Sequence, residues 1–166
     1  MRTLLSISAL ILVLLGSCLK EKEFPPEPFI EFKSFTKVLI PPDTIPAQLI
    51  LSIRFTDGDG DIGLSEADSL PPYVDPYNNN FFIDLIKLVN GQPEITEINY
   101  NSRIPLLDEN LGNKPMEGLL EYTFDENELG IMREFLLNDT IAFDVSIVDR
   151  ALNHSNVIRT PYLAVE

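Results

Sequence analysis

The sequence predicts an all-β fold, an antiparallel sandwich of seven strands with one short crossover helix. Apolar residues recur at every second position along most of the chain, the pattern of strands with one face buried. Turn formers such as Asn90-Gly91 separate the alternating runs, as short strands joined by tight connections require. Helical spacing of apolar residues is confined to one segment, 125–136.

Residues 1–17 read as a signal peptide outside that fold. Arg2 supplies a short positive start, and an apolar run from Leu4 to Leu15 follows, shorter than the roughly 20 residues of a membrane span. The run ends in Leu15-Gly16-Ser17-Cys18, which resembles the lipobox of bacterial lipoproteins. That resemblance implies that Cys18 becomes the lipidated first residue of the mature chain, held to a membrane through its acyl chains. Cys18 is the sole cysteine, so no intramolecular disulfide can form. A secreted protein with an incidental cysteine is the alternative. Residues 18–28 are charged and then proline-rich, a semi-stiff spacer whose ten residues after Cys18 reach at most about 33 Å. Lys20-Glu21 also resembles the short export signals of surface lipoproteins of the Bacteroidota. The expected place is the bacterial cell envelope, as an outer-membrane lipoprotein facing the periplasm or the surface.

Residues 29–166 are then one domain, long enough to bury a core. Ile30, Phe32, Val38 and Ile40 share one parity in the first strand. Leu49, Leu51, Ile53 and Phe55 alternate in the second. Residues 81–89 are apolar on both parities except at Asp84 and Lys87, as in a central strand. Residues 94–100 form its hairpin partner, and 118–124 a further strand with Leu120, Tyr122 and Phe124 inward. Asp125 and Glu128 have capping-box spacing, with Leu129, Met132, Phe135 and Leu136 on the helix that follows. Residues 141–147 alternate cleanly. The last strand, 157–165, contains Pro161 and belongs at an edge.

The second strand runs into Asp57-Gly58-Asp59-Gly60-Asp61-Ile62-Gly63. Three like charges so close repel by about 1 kcal/mol per pair at 4 Å in water, more where water is excluded. Alternating acids with glycines between them are how loops wrap calcium, a hard cation that takes oxygen ligands. The match to an EF-hand loop is partial, since Ile62 stands where glycine belongs and Asp68 where the closing glutamate does. A polar surface turn of ordinary turn formers is the competing reading.

Residues 148–156, Val-Asp-Arg-Ala-Leu-Asn-His-Ser-Asn, resemble the Asp-x-Ala-Gly-Asn-x-Ser turn before the last strand of bacterial immunoglobulin-like or fibronectin III-like domains, with Leu152 in place of glycine. Together with the acidic turn and the lipobox, the chain resembles uncharacterised immunoglobulin-like lipoproteins of the Bacteroidota. The resemblance implies a seven-stranded sandwich and brings no activity. There is no tryptophan and no cysteine pair, so an antibody-type core is absent. If strands alternate in direction, the three acidic connections share one end. Asp149 or Asn153 would then complete a calcium shell begun by Asp57, Asp59 and Asp61. Asp108 and Glu109 would lie at the same end, as would the tether, which bound calcium would stiffen or bridge to lipid headgroups.

A formal net charge of −14 disfavours nucleic acid and anionic lipid as direct partners. The sole histidine, His154, has no cysteine or glycine-framed serine beside it, so catalysis is not expected. Two functions remain: a structural or adhesive envelope module with a calcium-stabilised acidic loop and an envelope protein or glycan as partner, or a glycan-binding accessory lipoprotein of an outer-membrane uptake system. The second would use Tyr73 and Tyr77, in the long loop after the acidic turn, as a sugar platform.

Overall fold

The computed structural model describes residues 23–39, 46–106 and 114–165. The leader, Cys18, Ile40, Asp108 and Glu109 lie outside the described residues. Strands run at Phe29–Leu39 (β1), Pro46–Asp57 (β2), Phe81–Val89 (β3), Gln92–Asn99 (β4), Met116–Phe124 (β5), Thr140–Ile147 (β6), Ile158–Arg159 (β7) and Leu163–Ala164 (β8), with helix α1 at Glu126–Leu136. One sheet has the order β1-β2-β5, the other β4-β3-β6-β7, with β8 also on β6, and every pairing is antiparallel. The result is an all-β sandwich in which β3 is central, as its two-sided apolarity predicts.

The β3–β4 hairpin turns at Asn90 (φ 51°) and Gly91 (φ 78°), the two positive φ values that a twist-compatible two-residue turn needs. Two strand readings and one helix reading change in detail. β1 pairs β2 with a register shift between Phe32 and Ser34. That bulge adds one residue and moves later side chains to the opposite face. Phe35, rather than Val38, therefore follows Ile30 and Phe32 onto the core. The last strand divides into β7 and β8 around Thr160-Pro161-Tyr162, because proline has no N–H for the ladder. On α1, Leu129, Met132 and Leu136 are buried. Phe135 is 67% exposed, one helical step off that face.

Both halves of the α1 capping box form: Asp125 accepts from the Glu128 amide at 2.9 Å, and Glu128 accepts from the Asp125 amide at 3.0 Å. The helix closes one end of the sandwich against β2 and β5. Between the sheets, aromatic rings take the central place. Phe124 of β5 stacks on Phe143 of β6 with centroids 4.8 Å apart, while Tyr100 and Tyr122 meet Phe124 edge-on at 5.0 and 4.8 Å. Such pairs contribute about 0.5–1.5 kcal/mol beyond their burial. Phe143→Ala should therefore cost about 3–5 kcal/mol in urea melts, whereas Leu119→Ala, on the exposed side of β5, should change stability by less than about 0.5 kcal/mol.

Candidate metal centre

The acidic turn starts where β2 stops. Asp57 is the last β2 residue, paired with Met116 of β5, and its Oδ2 accepts the Asp61 amide at 3.0 Å, which bends the chain back on itself. Glycine is required here because other backbone lies against the turn. A Cβ on Gly58 would stand 2.3 Å from the Phe24 carbonyl oxygen and 2.4 Å from that of Pro25. A Cβ on Gly60 (φ 70°) would stand 2.1 Å from the Lys114 carbonyl oxygen. The alternation of acid and glycine thus serves two needs, side chains gathered on one side and tight backbone contact on the other.

From the other sheet, β6 leads into the turn that holds Asp149. Its Oδ1 accepts the Asn153 amide at 2.7 Å and its Oδ2 the Asn153 side-chain Nδ2 at 2.8 Å. Asn153 therefore orients Asp149. Leu152 has φ 67°, in the left-handed region that favours glycine. A bulky residue there holds local strain, and its amide donates to the Asp149 carbonyl at 3.2 Å. Two bonds lace the turns together: the Arg150 amide donates to the Asp61 carbonyl at 3.2 Å and the Ala151 amide to Asp61 Oδ2 at 3.0 Å.

The outcome is a cluster in which Asp57, Asp59, Asp61 and Asp149 each offer a carboxylate oxygen within 4.8 Å of the others. Four oxygens so spaced fit around one cation at about 2.4 Å, since ligands on opposite sides of such an ion are about 4.8 Å apart. Asp57 and Asp149 are 0% and 1% exposed. Oδ1 of Asp57, Asp59 and Asp61 are buried without a hydrogen-bond partner, although buried polar atoms are generally satisfied. Burial, then the charges of Asp59 and Asp61, push Asp57 up to about 7. Burial, then Asp149 and Asp59, push Asp61 up to about 6. Burial also raises Asp149. These groups can hold a metal ion.

The loop at 58–80 is fixed by arginines that the sequence does not mark. Arg150 grips Asp68 with two bonds of 2.7 and 3.1 Å. Burial pushes the Asp68 carboxyl up, but bonds from the Ser65 amide and hydroxyl and from Arg150 outweigh it and hold the carboxyl below its ordinary range. Asp68 is thus spent on a salt bridge, outside the cluster. Arg103 donates to the carbonyls of Asn78, Ser65 and Asp68. Buried Asn80 accepts the Ile104 amide at 2.7 Å and receives the Val148 amide on its carbonyl at 3.0 Å. Asn80 lies in an asparagine run, which gives no signal for that role.

Tyr73 and Tyr77 are half-buried and turned toward the 148–156 turn. The Tyr73 hydroxyl donates to the Arg150 carbonyl at 3.1 Å under the Arg150 guanidinium, and the Tyr77 hydroxyl lies 3.3 Å from His154 Nε2. The two rings brace the acidic end.

No family model matches the chain, and no curated protein or solved structure matches it.

Two measurements check this geometry. Asp57 and Asp61 take up protons at higher pH when folded than when unfolded, where the value is 3.8. Their contribution to stability is therefore full below about pH 4 and is lost as pH rises through 6 and 7. In EDTA, the melting temperature should be higher near pH 5.5 than near pH 7.5, and Asp57→Asn should flatten that profile. A cation-free profile that rises with pH contradicts the cluster. Gly60→Ala should destabilise by more than about 1 kcal/mol, measured by the same melts.

Proposed function

We propose that the chain is a cell-envelope lipoprotein, anchored through Cys18, whose immunoglobulin- or fibronectin III-like domain is a non-catalytic structural or adhesive binding module stabilised by calcium. The observation that carries the calcium reading is the set of buried, unpartnered Oδ1 atoms on Asp57, Asp59 and Asp61, gathered with Asp149 from the opposite sheet. An all-oxygen, all-carboxylate set is a hard-cation site. Magnesium holds several waters and takes one or two carboxylates, whereas calcium accepts six to eight oxygens, roughly, in flexible geometry. The three-stranded and larger sheet orders, β1-β2-β5 against β4-β3-β6-β7, support the fibronectin III-like assignment. Support for a non-catalytic role comes from His154, whose ring meets Tyr77 rather than a nucleophile.

A structural or adhesive role is favoured over sugar binding by the tyrosines. A stacking platform needs ring faces open to solvent, and here the Arg150 guanidinium lies over the Tyr73 ring at 5.7 Å and the His154 ring meets that of Tyr77 at 5.8 Å. The partner is an envelope protein or a wall component.

The deciding experiment is the thermal melt of the purified protein in excess EDTA and in millimolar calcium. A cation at a hundredfold excess over its Kd adds about 2.7 kcal/mol, which raises the midpoint by several degrees. Asp59→Ala should abolish the shift, and Asn153→Ala should weaken calcium binding about 10- to 100-fold, as loss of a ligand-orienting partner does. Equal midpoints with and without calcium would remove the metal from this reading.

A further inference from the structure

We infer that the acidic end of the sandwich is a membrane-docking surface, with Leu70 and Val74 as the residues that enter the headgroup region of the lipid bilayer. This rests on lipidation at Cys18. The placement of the tether carries it. The Phe24 and Pro25 carbonyls lie against Gly58 and Pro28 is buried, so the proline-rich spacer is pinned to the domain from Phe24 onward. Only five residue steps separate Cys18 from Glu23, at most about 18 Å of chain. β2, which starts at the far end and finishes at Asp57, is 12 residues long, or about 40 Å. The anchor is thus too short to hold the acidic end far from the lipid, and a domain standing on it presents that end first.

What this end presents suits a bilayer interface. Leu70 is 73% and Val74 41% exposed, on a turn closed by the Tyr73 amide donating to the Leu70 carbonyl at 2.9 Å. That turn is held rigidly against the metal cluster, because Tyr73 binds the Arg150 carbonyl while the Arg150 amide binds Asp61. Apolar side chains on a stiff turn need little reordering to enter such an interface. Four carboxylates at the same place would oppose approach to anionic lipid. A calcium ion among them removes much of that charge and gives headgroup phosphates a cation to share.

The test uses the full-length chain, produced with its lipid and reconstituted into vesicles of phosphatidylethanolamine and phosphatidylglycerol carrying spin-labelled lipid. Leu70→Cys and Phe135→Cys are labelled separately with a fluorophore, the second reporting from helix α1 at the opposite end. In calcium, quenching at position 70 should exceed that at 135 several-fold, and EDTA should reduce it. Equal quenching at both positions, or more at 135, overturns the inference. If position 70 is strongly quenched whether or not calcium is present, docking stands and the calcium reading falls. If the unsubstituted chain takes up label at Cys18, that thiol carries no lipid, and the anchor and the docking surface fall together.

Discussion

Asp57 ends a strand of one sheet and Asp149 follows a strand of the other, and the acidic end depends on offsetting the repulsion where they meet. Two carboxylates drawn from opposite sheets into a buried cluster oppose the closing of the sandwich. The protein answers part of this with hydrogen bonds: the Asp61 amide to Asp57, the Ala151 amide to Asp61, and both donors of Asn153 to Asp149. Those bonds occupy only one side of the Asp57 and Asp61 carboxylates. The Oδ1 atoms of both are left buried without a hydrogen-bond partner, in a cluster that could hold a cation.

The same constraint explains how much of the chain converges there. Phe24 and Pro25, Lys114 and the turn at Arg150 all touch the 57–63 backbone or its side chains. Fixing the turn thereby fixes the segments that lead into β1 and β5. A change in this turn would be felt at Phe24 and Pro25, because the contact is backbone on backbone with no flexible side chain between. Away from it, α1 and the aromatic layer around Phe124 and Phe143 supply stability chiefly through apolar burial.

The long 58–80 loop is ordered by arginine in addition to the burial of Ile62 and Leu64. Arg103 satisfies three carbonyls along it, and Arg150 ties Asp68 to the turn that carries Asp149. Guanidinium groups suit this because their donors lie in one plane and can reach several acceptors at once. Leu152 at φ 67° is a local cost held in place by the bonds around it.

Local chemistry was legible in the amino-acid sequence: period-two alternation for the strands, Asn90-Gly91 for the hairpin, Asp125 and Glu128 for the helix cap, and the acid–glycine alternation for the turn. Each depends on residues a few positions apart, where backbone sterics and hydrogen-bond reach decide the outcome. The proximity of Asp149 to that turn was accessible through strand direction alone. Tertiary structure decided the rest. The bulge after Phe32 changed which residues of β1 face inward, the break at Pro161 divided the last strand, and Asn153 became a support for Asp149. The roles of Arg103, Arg150 and Asn80 depend on partners up to 82 residues away, and nothing in the local pattern of a chain records which distant carbonyl or carboxylate its folding will bring within reach.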